Sequence, residues 1–450
     1  MRLPRAGFGS FVAALALAGA LSAQEVAAHP AGTRVSVADD SLTSDFEVSG
    51  VKVILRRSTA NEVVVANLYL IGGDQLFTPQ TIGIEPLLLW TSERGTKKYT
   101  RDVLRRKMAA LGSSIVVEPQ DDWTMFGFRG VRAAFDSTWV IFADRLTAAS
   151  LDSTQVEQVR AQVLSAVRQR RDSPDDLVQE VADSMTFAGH PYSLPASGNE
   201  RSLSRFTVAD LRRYRDTAIV TSRMLLVVVG NVQRDQLERL VASTIGKQPH
   251  GNFKWTPPTD PGTRTPAVDL LGRPLPTNYI LGYYIGPPST SPDYQALRVA
   301  TAVLGGRLFT EIRSRRNLTY DVSAPFVERA ISSGGLYVTT VYPDTTLALM
   351  KREIGDLQGG LVDEDNLEAI VQQFITEYFL NNETNAAQAN FLARAQIYRG
   401  DYHLASNFVD ELRRVSPNDV RAAARKYIRG VRFAYAGDTT RVSKAALLGF

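Results

Sequence analysis

One order of sequence patterns occurs twice along this chain, and that recurrence limits the fold more than any single residue does. In the first half, the runs at 51–55 and 63–71 read as strands, the second rich in β-branched residues. A helical stretch opens near Pro86, and another spans 100–111, where Leu104, Met108 and Leu111 fall at i, i+4 and i+7. The segments 115–117 and 125–128 read as strands paired around the Asp121-Asp122 turn. Long helices come next. Val156, Val159, Val163 and Val167 share a face of one that ends near Asp172-Ser173-Pro174, and another begins after the proline. The run at 224–229 reads as a buried strand stopped by Gly230-Asn231.

The second half restarts this order. A strand at 279–285 leads to a helix at 296–304, a break at Gly305-Gly306 and a further helix. Strands at 322–327 and 336–341 precede closing helices that place Leu367, Ile370, Val371 and Phe374 on one face. Between the halves, 248–276 is rich in Pro, Gly and Thr and has no periodicity, which marks a linker. The expectation is an α+β fold of two similar modules, related by pattern rather than by readable identity.

The expected boundaries are a leader over 1–28, an arm over 29–45, modules over 46–247 and 276–440 joined by a linker at 248–275, and a tail at 441–450. Arg2 and Arg5, the apolar run at 11–21 and the small residues that follow read as a secretory signal, with Ala23 and Ala28 as candidate cleavage points. With cleavage after Ala23 the net charge falls from +4 to +2, and no Lys/Arg run is left to suggest nucleic acid as a partner. No other apolar stretch is long enough to cross a membrane. There is no cysteine, so no lipid-attachment box exists and stability must come from large cores rather than disulfides. Export to a bacterial periplasm is the expected localisation. The four histidines, His29, His190, His250 and His403, are scattered, and no two share a helical turn. Glu85 and Glu93 are expected on a solvated helix surface, and Gly305-Gly306 is too short for a phosphate loop.

Several stretches together resemble the insulinase/pitrilysin family of zinc metallopeptidases. They are the turn at Gly72, GTKKYT at 95–100, LGSSI from Leu111, RRDSPDDLV at 170–178, GHPYSLPASG at 189–198, LLVVVGNV at 225–232 and, most specific, LGGRLFTEIRSRRNLTYDV at 304–322. The resemblance runs from about residue 45 to 440. It implies the mitochondrial-processing-peptidase/insulinase-like fold, in which each module is a mainly antiparallel sheet packed against helices.

The resemblance also implies where a metal site would lie. The family's inverted His-x-x-Glu-His motif places its two histidines at Pro86 and Trp90 and its glutamate base at Leu89. Its third ligand falls on Ala166 and a supporting acidic position on Val159. A catalytic zinc needs three protein ligands and an activated water, so the chain is expected to hold no metal, to need no cofactor and to have no catalytic residue of its own. Pro86 is expected to start or kink the old zinc helix, and Trp90 to fill space left by the metal.

Arg313 and Tyr320, seven apart, match the family's Arg/Tyr pair, which reaches substrate from the half opposite the zinc. A guanidinium can fork onto a peptide carbonyl, and a phenol can support a developing oxyanion. Read without the resemblance, Arg313 belongs to a basic cluster with Arg307, Arg315 and Arg316 that suits a solvated helix face. The expectation is a non-catalytic subunit of a two-chain zinc peptidase. It would close the chamber as a heterodimer with a zinc-bearing insulinase-family subunit, around a peptide or unfolded-protein substrate. The alternative is a structural or peptide-binding scaffold of the same fold with no role in proteolysis.

Overall fold

The computed structural model describes residues 42–262 and 264–450; the expected leader and most of the expected arm lie outside them. Twelve strands form two six-stranded sheets. In the first half they are β1 (Thr43–Val48), β2 (Val51–Arg57), β3 (Val63–Ile71), β4 (Ser114–Pro119), β5 (Trp123–Val131) and β6 (Met224–Gly230). The second half gives β7 (Ala267–Gly272), β8 (Asn278–Pro288), β9 (Thr319–Ser323), β10 (Phe326–Val327), β11 (Ile331–Thr340) and β12 (Arg432–Gly437). The first sheet has the order β1-β2-β6-β3-β5-β4; the second has β10-β11-β8-β12-β7, with β9 also on β11.

Read from opposite ends, the orders correspond as β2-β6-β3-β5 with β7-β12-β8-β11; β1 has no counterpart, and the place of β4 beside β5 is taken by β9 and β10 beside β11. β2 runs parallel to β6 as β7 does to β12, and every other pairing in both sheets is antiparallel. The helices recur in step. Asp152 and Asp363 cap the long helices Ser153–Asp172 and Glu364–Asn381, Ser173 and Thr384 cap Pro174–Thr186 and Asn385–Arg399, and reciprocal capping boxes, Thr207 with Asp210 and Ser416 with Asp419, open Val208–Ala218 and Pro417–Tyr427. The caps fix where each helix starts, so they carry the repeat even where side chains differ.

Period-two alternation explains why the central strands are apolar throughout. In β3, Val64, Ala66, Leu68 and Leu70 face the helices of their own half. Val65 and Tyr69 face the other way, with Leu225, Val227 and Val229 of β6, onto Ala389, Leu392, Ala393 and Ile397 of the 385–399 helix from the second half. The exchange is mutual. Leu281 and Tyr283 of β8 and Ala434 and Ala436 of β12 pack on Val178 and Ala182 of the 174–186 helix from the first half. Each half thus covers the second face of the other's sheet.

The sequence reading needs correction at several places. The expected arm reaches only to Leu42 in the described chain, because Thr43–Val48 pairs with β2. Within the expected linker, Ala267–Gly272 is β7, held at the sheet edge by β12. The expected tail is not loose: Lys444–Leu448 is helical, Leu447 is buried, and Phe450 packs edge-on against Phe433 at 5.0 Å. Gly305-Gly306 is no break, since one helix runs Asp293–Leu308 and continues as a wider π-helical turn over Phe309–Ser314. Its buried face of Val299, Val303, Leu304 and Leu308 outweighs a glycine penalty of roughly 1 kcal/mol each. The expected strand at 322–327 is split into β9 and β10. No helix among the described residues is long and apolar enough to cross a membrane.

Candidate functional site

The helix expected from Pro86 begins two residues earlier, as Ile84–Thr91, with Gly83 as its N-cap. Pro86 then sits in the first turn, where the missing N–H had no intrahelical partner to lose, so the ring neither starts nor kinks the helix. This helix packs on the 153–172 helix, which carries Val159 and Ala166. Pro86 and Leu89 are buried, Trp90 is half-buried against the first core, Val159 is buried and Ala166 half-buried. None of these side chains carries a lone pair that zinc accepts, so the metal of the resembled site does not fit these residues. One turn before Ala166, Gln162 Oε1 accepts from Arg94 Nη2 at 2.8 Å, placing a neutral amide and a buried guanidinium beside that position. Among the described residues no group of three or more His, Asp or Glu is placed to hold a metal ion.

Glu85 overturns its expectation most sharply. It is 0% exposed rather than solvated. Arg223 Nη2 lies 2.8 Å from its Oε2, and the Tyr214 hydroxyl donates to the same oxygen at 2.7 Å. Arg223 also donates to the Ile71 and Ala218 carbonyls, each at 2.9 Å, and to Tyr214 at 3.2 Å. Burial would lower the Arg223 pKa, but Glu85 and Tyr214 outweigh it and hold the guanidinium charged; burial raises that of Tyr214. A buried charge on the 84–91 helix is thus tied to the turn ahead of β6. Its sequence signal was weak, because 138 positions separate a glutamate next to a proline from Arg223.

In the second half the structure brings Arg313 and Tyr320 together. Arg313 lies in the π-helical turn and Tyr320 on edge strand β9, with the guanidinium carbon 5.3 Å from the Tyr320 ring centre and 5.1 Å from that of Phe309. Such spacing on both sides gives cation–π attraction that fixes the cation without neutralising it. Tyr320 is 80% exposed and Phe309 44%. Two members of the basic cluster differ in kind. Arg315 and Arg316 both bind Glu311, whose carboxyl is held down to about 2 by Arg352, Arg316 and Arg315. Arg313 has no acidic partner among the described residues. Asp321, beside Tyr320, is half-buried; burial raises its pKa and Arg313 pulls it the other way. Phe309 escaped the sequence reading, although its place four residues before Arg313 on a helical stretch was the available signal. No side-chain hydrogen bond, ion pair or ring contact links Arg313 or Tyr320 to the first half among the described residues, so the two candidate regions remain separate features of the chain.

The chain is similar to several known proteins. A family model described as the peptidase M16 inactive domain matches residues 205–374. An uncharacterized zinc protease of Streptomyces coelicolor is 22% identical over 363 residues, covering 77% of this chain and 79% of that protein. Human cytochrome b-c1 complex subunit 1, mitochondrial, is 23% identical over 259 residues, covering 57% of this chain and 54% of that protein. The crystal structure of a peptidase M16 inactive domain from Pseudomonas fluorescens matches with a TM-score of 0.81 at 18% identity, over 88% of this chain and 98% of that one, a likeness of fold.

Proposed function

This chain belongs to the insulinase, or M16, peptidase family, and from that premise we propose that it is a non-catalytic subunit which closes the chamber of a two-chain zinc peptidase and offers Arg313 and Tyr320 to substrate opposite the partner's zinc. The observation that carries this reading is the state of Arg313: a cation within 5.3 Å of two exposed ring centres and in no ion pair among the described residues, whereas Arg315 and Arg316 share Glu311. A guanidinium held in this way keeps its forked donors free for a peptide carbonyl, and its orientation is set before substrate arrives. The phenol of Tyr320 lies next to it for a developing oxyanion. The apolar set at Pro86, Leu89, Trp90, Val159 and Ala166 fits the same division of labour. Apolar packing is the stable sequel to losing a metal, since carboxylates left there would be uncompensated buried charges. The partner in this reading is a zinc-bearing chain of the same family, the substrate a peptide or unfolded segment, and the compartment a bacterial periplasm reached through the expected leader.

The test uses the full chain alone and with such a partner. Alone, it contains no stoichiometric zinc and cleaves no peptide; one zinc per chain by metal analysis sinks the proposal. Within the pair, Arg313→Ala lowers kcat by on the order of 10²-fold, the scale of losing one transition-state donor, and leaves the complex intact on gel filtration. Tyr320→Phe acts in the same direction. Unchanged turnover in both variants favours a scaffold role instead, a reading to which the similarity with a subunit of the cytochrome b-c1 complex gives weight.

A further inference from the structure

The seam between the two halves carries more negative charge than its partners balance. Asp74, Asp121, Asp122 and Asp183 from the first half meet Arg329 from the second. Arg329 Nε lies 2.6 Å from Asp121 Oδ2, and its Nη2 is 2.9 Å from Asp183 Oδ1. Asp122 accepts from the Tyr192 hydroxyl at 2.6 Å, the Tyr398 hydroxyl at 2.9 Å and the Ala330 N–H at 3.1 Å, so one carboxylate ties both halves. Backbone bonds strap the turn at 72–74 onto 121–122, with Gly72 N–H donating to Asp122 O at 2.8 Å and Asp74 N–H to Asp121 O at 2.7 Å. That strap sets the Asp74 carboxyl, 1% exposed, beside that of Asp121. The partly exposed Asp121 and Asp183 therefore share one guanidinium beside the enclosed carboxyls of Asp74 and Asp122.

Independent polar groups point into the same place. Among the described residues the fully buried Tyr283 hydroxyl has no hydrogen-bond partner, and neither have Arg329 Nη1 and Asp74 Oδ2. The other titratable groups facing the cluster are His190, with Asp260 beyond it, and Arg394 near Tyr398. His190 supplies no compensating charge, because burial and Arg329 lower its pKa despite the opposing pull of its hydrogen bond to Thr259, Asp260 and Asp121. A buried group with unmatched charge neutralises itself by binding a proton.

We propose that this seam is a proton-operated clasp, in which protons taken up by Asp74, Asp122 and Asp183 tighten the two halves and their release loosens them. The elements it governs are the two exchanged helices, 174–186 bearing Asp183 and 385–399 bearing Tyr398. Burial pushes Asp122 and Asp183 up to about 6, against the hydrogen bonds and the pull of Arg329, and pushes Asp74 well above the usual carboxylate range. A pKa raised on folding means that the folded form binds more protons than the unfolded one, so stability falls as pH rises. The contribution is complete below about 4, where the unfolded carboxyls also protonate. It fades through about 6 for Asp122 and Asp183, and higher still for Asp74.

Asp74→Asn imitates the protonated carboxyl at every pH. Thermal midpoints of the full-length chain and this variant, measured from pH 5 to 8.5, are expected to differ most at pH 8.5, with the variant higher, and to converge near pH 5. A pH-independent difference, a variant below the parent at pH 8.5, or a variant that does not fold overturns the clasp. In the parent chain, hydrogen exchange of the exchanged helices, corrected for intrinsic rate, is expected to slow relative to β6 as pH falls from 8 to 6, by about tenfold per pH unit for each proton released on opening. Equal protection at both pH values also overturns it.

Discussion

Replacing Glu85 with alanine isolates a buried charge at the position where the resembled family would carry a zinc helix. Arg223 is left with the Ile71 and Ala218 carbonyls and the Tyr214 hydroxyl, so most of its N–H groups stay satisfied while its charge does not. Breaking a buried pair from one side costs about 3–5 kcal/mol. Because Glu85 is fully enclosed and Arg223 nearly so, no solvent screening reduces that figure. Glu85→Gln keeps an acceptor for Tyr214 and loses only the charge, so a smaller loss of about 1–3 kcal/mol follows. Glu85→Leu combined with Arg223→Met removes both charges and keeps the volume apolar, and it lies within about 2 kcal/mol of the parent. Urea unfolding followed by tryptophan fluorescence gives the four stabilities and, through a double-mutant cycle, the coupling between the two residues. A single Glu85→Ala loss below about 1 kcal/mol, the value for an exposed pair, with no coupling in the cycle, refutes the argument and returns Glu85 to a solvated face.

Two other substitutions test packing that the sequence did not reveal. Gly83→Ala places a Cβ 2.6 Å from Gly198 Cα at a backbone φ of +89°; strain plus a backbone clash predicts a loss of about 2 kcal/mol or more, and an unchanged urea midpoint contradicts it. Leu447→Ala opens a cavity beneath the final helix, where Leu447 is 0% exposed; the expected loss is about 2–4 kcal/mol, whereas a loose tail shows no change in thermal midpoint.

Local patterns made most elements legible. The run at 63–71 is strand β3 over its whole length, the valines at 156, 159, 163 and 167 are all buried, and the Asp121-Asp122 turn joins β4 to β5. Each of these rests on a period or a turn that neighbouring residues specify among themselves. The failures came where distant partners override local preference. Glycines at 305–306 read as a break, yet the helix survives because its apolar face has a core to join. The ends at 43–45 and 441–450, expected as arm and tail, fold because a strand edge and a buried leucine hold them. At the candidate site the sequence named Arg313 and Tyr320, but not Phe309 as the second ring or Glu311 as the acid that occupies the other arginines.

By itself, then, the sequence determined the repeated α+β order, which depends on residue type and spacing, and the lack of a zinc donor at 86, 89, 90 and 166, the positions that the family resemblance marks. Only the tertiary structure decided which surfaces those elements would cover. A strand that is apolar on both faces does not say what lies on its second face. Here that face is filled by a helix from the opposite half, in both directions, and the exchange brings Asp121 and Asp183 to Arg329 across the seam. Burial of charge, as at Glu85 and Asp74, is a property of that assembled interior, because a carboxylate one turn from solvent and one in the core are the same letter in a sequence.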